Sequence, residues 1–171
     1  MLRKNSRSRI QIGGVEQFLL DHQSILARIA RAYSRNPDAR RDLLQEIRYQ
    51  IIKSFPSYQP DRNSSTWLYR VALNCAISFR RKADRWSAPE MDWESIPAPS
   101  ATQEPDPRAE HLQRLIELLD PLHRALLVLY LDDLSHAEIA EVLGISVANV
   151  ATRLSRIRQQ LRSLHDKEQK A

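Results

Sequence analysis

Between Trp86 and Pro107 the chain crowds five of its nine prolines (Pro89, Pro97, Pro99, Pro105, Pro107) together with five carboxylates (Glu90, Asp92, Glu94, Glu104, Asp106). The same stretch holds no lysine or arginine. A helix interior does not tolerate prolines at that density, because each removes a backbone donor and clashes with the preceding turn. Apolar periodicity is also missing, so residues 86–107 read as an extended acidic tether. The tether leaves two segments, 15–85 and 108–165, each of a size suited to one small domain.

Both segments favour helices. Glycine occurs only three times, aromatics make up 6% of the chain, and strand-like alternation is sparse. The expected fold is therefore all-α, with a three-helix N-terminal bundle and a helical C-terminal domain. In the N-terminal part, Phe18, Leu19, Ile25, Leu26, Ile29 and Ala30 support one helix from Val15 to about Ser34, ended by Asn36-Pro37. A second runs from Asp38 to Phe55 on Leu43, Ile47 and Ile51, with Leu44, Ile52 and Phe55 beside them. Pro56 and Pro60 bracket a loop, and Ser64 or Ser65 caps a third helix reaching about Asp84.

The C-terminal part starts with a helix over Arg108–Leu119. Asp120 then caps a second helix with Pro121 at its first position, where a missing N–H costs nothing. Ser135 and Glu138 have capping-box spacing for a third. Gly144 ends that helix in a left-handed turn, and Ser146 caps a last helix running to about His165.

No run approaches the roughly 18 apolar residues that a membrane span requires, and no apolar signal-peptide core follows the basic start. A soluble cytoplasmic protein without membrane insertion is expected. Cys75, the single cysteine, rules out an internal disulfide and reads as a small buried hydrophobe rather than a nucleophile. The five histidines show no ligand spacing. No catalytic set, metal site or cofactor is expected.

Net charge is +5 with a pI near 9.7, compatible with a polyanionic partner. Arg3, Lys4, Arg7 and Arg9 crowd the start. From Arg153 onward six bases (Arg153, Arg156, Arg158, Arg162, Lys167, Lys170) face two acids (Asp166, Glu168). On a wheel of the last helix, Val147, Val150, Leu154, Ile157 and Leu161 share the packing face. Opposite lie Ala148, Thr152, Ser155 and Gln159, flanked by Asn149 and Arg156. A helix, a glycine turn and a second helix with small, hydroxylated and basic groups outward suit a reader in the DNA major groove. Its arginines would contact guanine edges or phosphates.

A polar stripe of Thr66, Arg70, Asn74, Ser78 and Arg81 also runs along the third helix, opposite Leu68, Ala72, Cys75 and Phe79. Trp67 at its edge can pack inward, touch nucleic acid, or do both. Such a stripe suits single-stranded or distorted DNA; a merely solvated face would look the same.

Three blocks carry a family resemblance: DLLQEI at Asp42–Ile47, STWLYRVALN at Ser65–Asn74, and Arg80-Arg81. They resemble conserved region 2 of the bacterial sigma-70 factors. LDPLHRALLVLYLDDLSHAEIAEVLGISVANVATRLSRIRQQL at Leu119–Leu161 resembles their region 4. With the tether between them, the chain looks like the small extracytoplasmic-function (group IV) class, over roughly Val15 to His165. The resemblance implies an alternative sigma factor, a non-enzymatic subunit that binds core RNA polymerase and directs it to promoter DNA.

By position, the resemblance assigns polymerase β′-clamp binding to Asp42, Leu43, Gln45 and Glu46. It assigns −10 element recognition and melting to Asn63, Ser64, Ser65, Trp67, Arg70 and Asn74. Upstream −35 recognition falls to Ala148, Ala151, Thr152, Arg153 and Arg156, with Asn149 and Ser155 beside them, while another surface of that domain meets the β flap. The tether resembles the family linker that threads toward the RNA exit path. An anti-sigma partner and a monomeric free state are implied as well. Ser64, Arg48, Ala151 and His136 depart from common family residues and bear on promoter sequence more than on function class. A free-standing helix-turn-helix regulator and a sigma-like polymerase-binding decoy are the other readings.

Overall fold

The computed structural model describes residues 14–59, 64–86 and 107–168. Eight α-helices make up these residues, with no strand among them: α1 (14–21), α2 (Gln23–Tyr33), α3 (Pro37–Ser54), α4 (Ser64–Trp86), α5 (Pro107–Glu117), α6 (Pro121–Leu131), α7 (His136–Leu143) and α8 (Val147–Glu168). A 3-10 turn, Phe55–Ser57, follows α3. The all-α expectation holds. The acidic tether from 87 to 106, the basic first residues and Asn63 lie outside the described residues.

The first expected helix divides in two at His22. This residue takes φ −110° and ψ 10°, and its Nδ1–H donates to the Phe18 carbonyl at 2.8 Å. That carbonyl also accepts the His22 backbone N–H at 3.2 Å, so one acceptor serves both groups at the break. Asn36 then caps α3 by accepting the Ala39 N–H at 2.8 Å, with Pro37 at the first helical position. Leu43, Ile47 and Ile51, one turn apart, are fully buried from α3. Burying an aliphatic side chain of this size contributes about 1.5–3 kcal/mol. They pack with Leu26 and Ile29 of α2 and Leu68, Ala72 and Ala76 of α4.

Local caps in the C-terminal half follow the sequence closely. Asp120 accepts from the Leu122 and His123 N–H groups ahead of Pro121. Ser135 and Glu138 form a reciprocal capping box at the start of α7. Gly144 ends α7 with φ 66°, and the Ser146 hydroxyl accepts the Asn149 N–H to open α8. The turn after α6 places Asp133 at φ 59°, with the Leu134 N–H reaching the Leu129 carbonyl across it. Val150, Leu154 and Ile157 bury one stripe of α8 against α6 and α7.

Buried residues from both halves form a single continuous core cluster. The halves meet through α2 against α5 and α6, and through α4 against α7. The chief polar connector is Arg124 of α6, 3% exposed. Its guanidinium donates to the carbonyls of Ile116, Glu117 and Leu119 at the end of α5, and across the junction to Ala32 near the end of α2. Helix C-terminal ends carry unsatisfied carbonyls and partial negative charge. A buried cation there is solvated by two helix ends at once. The Tyr33 ring lies under it at 5.3 Å, and the Tyr33 hydroxyl donates to the Pro121 carbonyl at 2.7 Å.

Candidate nucleic-acid interface

α8 is presented by the α7–Gly144 turn, with its polar side turned outward. Ala148, Asn149, Ala151, Thr152, Ser155 and Arg156 are exposed, and Arg153 is half-buried. The Thr152 hydroxyl donates to the Ala148 carbonyl at 3.0 Å, so its donor is satisfied inside the helix and its methyl and lone pairs remain for a partner. Arg158 is occupied differently from Arg156. It donates to the Tyr130 hydroxyl at 2.8 Å and lies over that ring at 5.0 Å. Val147, placed on the packing face by its spacing, is 49% exposed instead. As the first residue of α8 it precedes the point where the helix settles onto α6 and α7.

α4 carries the second candidate surface. Arg70, Asn74, Ser78 and Arg81 are exposed along one side, as the stripe requires. Thr66 is the exception, 4% exposed where α4 meets the turn after α3 and the end of α6. Ser64 and Ser65 are half-buried at the helix start. Trp67 packs among Phe18, Phe55 and Tyr58, with ring centroids 5.8, 6.3 and 5.0 Å from its own. It remains half-exposed at the rim of a cavity of about 200 Å³, beside Tyr58, Gln59 and Arg70. Packing and an open edge therefore coexist in one side chain.

The third surface is α3. Asp42 and Gln45 are exposed and Glu46 is half-buried. Leu43 is fully buried, so its side chain holds α3 against the core and offers nothing to a partner. Tyr49, which the sequence reading did not single out, is 56% exposed on the same helix, and Ile52, read there as part of its apolar repeat, is 49% exposed. Cys75 is half-buried near Glu46, and burial followed by that carboxylate pushes the thiol up to about 11. Little thiolate exists at neutral pH, as expected of a packing residue.

Sequence reasoning also missed the polar residues that join the halves: Arg28, Tyr69, Arg124 and Asp132. Arg124 carried a usable signal, because it interrupts a largely apolar run, LHRALLVLYL, in which Ala125, Leu126, Leu127, Val128 and Leu129 are buried. Among the described residues no group of three or more metal-ligating side chains comes together, and no helix is long and apolar enough to cross a membrane.

A turn-linked basic helix and a polar-striped helix on one all-helical fold suit a protein that meets nucleic acid at two surfaces. Residues 18–85 match the family model for Sigma-70 region 2, and residues 109–161 match that for Sigma-70, region 4. The ECF RNA polymerase sigma factor SigE of Mycolicibacterium smegmatis is 30% identical over 86% of this chain, which spans 60% of that relative's length. RNA polymerase sigma factor SigV of Bacillus subtilis is 30% identical over 88% of this chain and 90% of its own. The fold matches that of the sigma factor RpoE of Bartonella quintana, solved with the anti-sigma factor NepR, at a TM-score of 0.70 and 22% identity over 88% of this chain and 96% of that one. This chain belongs to the sigma-70 family, in its extracytoplasmic-function branch. It is an alternative sigma factor, a regulatory protein of transcription initiation.

Proposed function

We propose that the chain grips a promoter at two points while held on core RNA polymerase. α8 reads the upstream −35 element in the major groove, α4 reads and holds the melted −10 element, and α3 binds the β′ clamp through Asp42, Gln45 and Glu46. The C-terminal helices also carry the β-flap contact. The observation that carries this reading is the exposed small-and-basic face of α8, Ala148, Asn149, Thr152, Ser155 and Arg156, directly opposite its buried stripe of Val150, Leu154 and Ile157. Short side chains bring the backbone close to base edges, and Arg156 supplies a fork for guanine or phosphate. Asn63, Ser64, Ser65, Trp67, Arg70 and Asn74 form the −10 set, in which the open edge of Trp67 offers a stacking surface for an unpaired base.

Two readers on separate elements require separable carriers. The 20 residues from 87 to 106 span at most about 70 Å when fully extended. At one base pair per 3.4 Å, that reach covers about 20 base pairs. Catalysis stays with the polymerase. An anti-sigma factor of the kind bound to the Bartonella protein is the expected negative partner, and the chain works as a monomer until polymerase or that partner engages it.

Run-off transcription with purified core polymerase on genomic promoter fragments tests the reading. Discrete transcripts that depend on the chain support it. Polymerase binding without transcripts points to a decoy, and DNA binding without polymerase association points to a free-standing regulator. Arg156→Ala should weaken promoter binding by roughly ten- to a hundredfold, from about 1–3 kcal/mol per base contact, with polymerase affinity unchanged. Loss of polymerase binding in that variant would reassign α8.

A further inference from the structure

The five histidines have no ligand spacing along the chain, yet the fold sets two of them edge to edge. His111 of α5 and His165 of α8, 54 positions apart, bring Nε2 and Nδ1 to 3.0 Å from each other. Their ring centroids lie 5.1 Å apart with the planes crossing at 68°, so nitrogen-bearing edges meet rather than π faces. Each ring extends an apolar seam between the two helices. His111 lies one turn before Leu115, which is 5% exposed, and His165 lies one turn after the half-buried Leu161. Both imidazoles are half-buried themselves. The packing of α5 on α8 therefore holds two ring nitrogens pointed at one another.

From this we infer that His111 and His165 form a two-point site for a divalent transition-metal ion, zinc above all, between the first and last helices of the C-terminal half. Nitrogen ligands about 2.0–2.1 Å from a tetrahedral zinc lie about 3.3 Å from each other. The two rings need to part by only a few tenths of an ångström to admit the ion. Imidazole nitrogen suits zinc, nickel and copper, whereas magnesium and calcium take oxygen ligands. The proton balance is simple. Without metal, one of the facing nitrogens donates an N–H and the other accepts it through its lone pair. On metal entry the donating ring carries that proton on its other nitrogen instead, and both lone pairs face the ion. No third metal-ligating side chain joins the pair among the described residues, so water takes the remaining positions. Open positions make an exchangeable site, unlike a closed four-ligand structural centre.

Bound there, the ion ties α5, the helix that follows the acidic tether, to the far end of α8. His165 stands nine residues beyond Arg156, about 14 Å along the helix axis, so the exposed face from Ala148 to Arg156 stays clear. Only the folded chain brings the two rings together, and an ion that binds the folded state stabilises it by mass action. The site acts on the cohesion of the C-terminal helices and stands apart from the DNA and polymerase assignments made above.

The test titrates the full chain, stripped of metal by a chelator, with zinc chloride in a calorimeter, while NMR follows the histidine ring signals. A single equivalent of zinc is expected to bind, to move the His111 and His165 signals first, and to raise the melting temperature. His111→Gln and His165→Gln each keep an amide that can hydrogen-bond the remaining ring. Either should weaken zinc binding by at least about tenfold and cancel the thermal gain. If a substitution unfolds the chain, the ring signals of the unaltered protein still decide the matter. No zinc uptake overturns the site. Equal zinc binding by both variants, or earlier movement of the His22, His123 or His136 signals, marks an adventitious ion only and overturns it too. Equal competition by magnesium would assign the ion to carboxylates. A thiolate charge-transfer band on adding cobalt would assign it to Cys75, and either result removes the histidine pair as the site.

Discussion

At the scale of single residues, Arg124 stands out among the described residues for bonding four backbone carbonyls through one side chain. Four carbonyls from two helix ends replace its water, and the Ile116 carbonyl also accepts the Leu119 N–H. Hydrogen bonds to charged groups contribute about 1.5–3 kcal/mol each, net of the water they replace. Arg124→Ala should therefore lower unfolding free energy by at least about 3 kcal/mol, read from urea denaturation. Gly144 illustrates a different cost. No atom lies within 4 Å of a Cβ built there, so Gly144→Ala pays only for its left-handed φ of 66°. The expected loss is about 1–2 kcal/mol, with Gly144→Asn losing less. Cys75 supplies a chemical readout of packing. With the thiol pushed up to about 11 by burial and then by Glu46, alkylation at pH 8 should be much slower in the native chain than in urea. Glu46→Gln should quicken it by removing the carboxylate that opposes the thiolate.

At the scale of elements, the capping box that opens α7 predicts a pH response. The Ser135 hydroxyl, then the Ser135 backbone N–H, hold the Glu138 carboxyl below its ordinary range. A carboxyl depressed in the folded state stabilises above its unfolded pKa, and that contribution disappears as pH falls through the lowered folded value. Thermal melts across the acidic range should show Ser135→Ala already lowered at neutral pH and converging on the parent as the carboxyl protonates. Caps of this kind were legible in the sequence because they are settled within four residues: Asp120 with Pro121, Ser135 with Glu138, Gly144, and Ser146. The misread positions depend on what lies across the core. Thr66 has the spacing of a surface residue, yet it is buried where the aromatic turn and the end of α6 close over the start of α4. Val147 has the spacing of a core residue, but the helix has not reached its packing partners there. The break at His22 arises from a side chain bonding back to Phe18, which the apolar periodicity of that helix does not encode.

At the scale of the whole molecule, proline density suggests two helical parts, but the way the described helices join is not written in any local pattern. The bonds that link them connect residues 63 to 104 positions apart: Tyr69 with Asp132, Arg70 with Glu141, Arg31 with Gln113, Tyr33 with Pro121, Ala32 with Arg124, and Arg28 with Asp132. No local pattern reports such pairings. Because the buried cluster is continuous across the junction, calorimetry of the full chain should show one unfolding transition.

The bond from Arg124 to Ala32 crosses 92 residues, and this separation has a consequence for the chain as it is made. A ribosome adding about 5–20 residues per second needs roughly 5–20 s to progress from one partner to the other. During that interval α2 and α4 have emerged while the helices that cover them are still unmade. The nascent protein therefore spends that interval with the core faces of α2 and α4 incompletely buried, and completes their burial only as the last third of the chain appears.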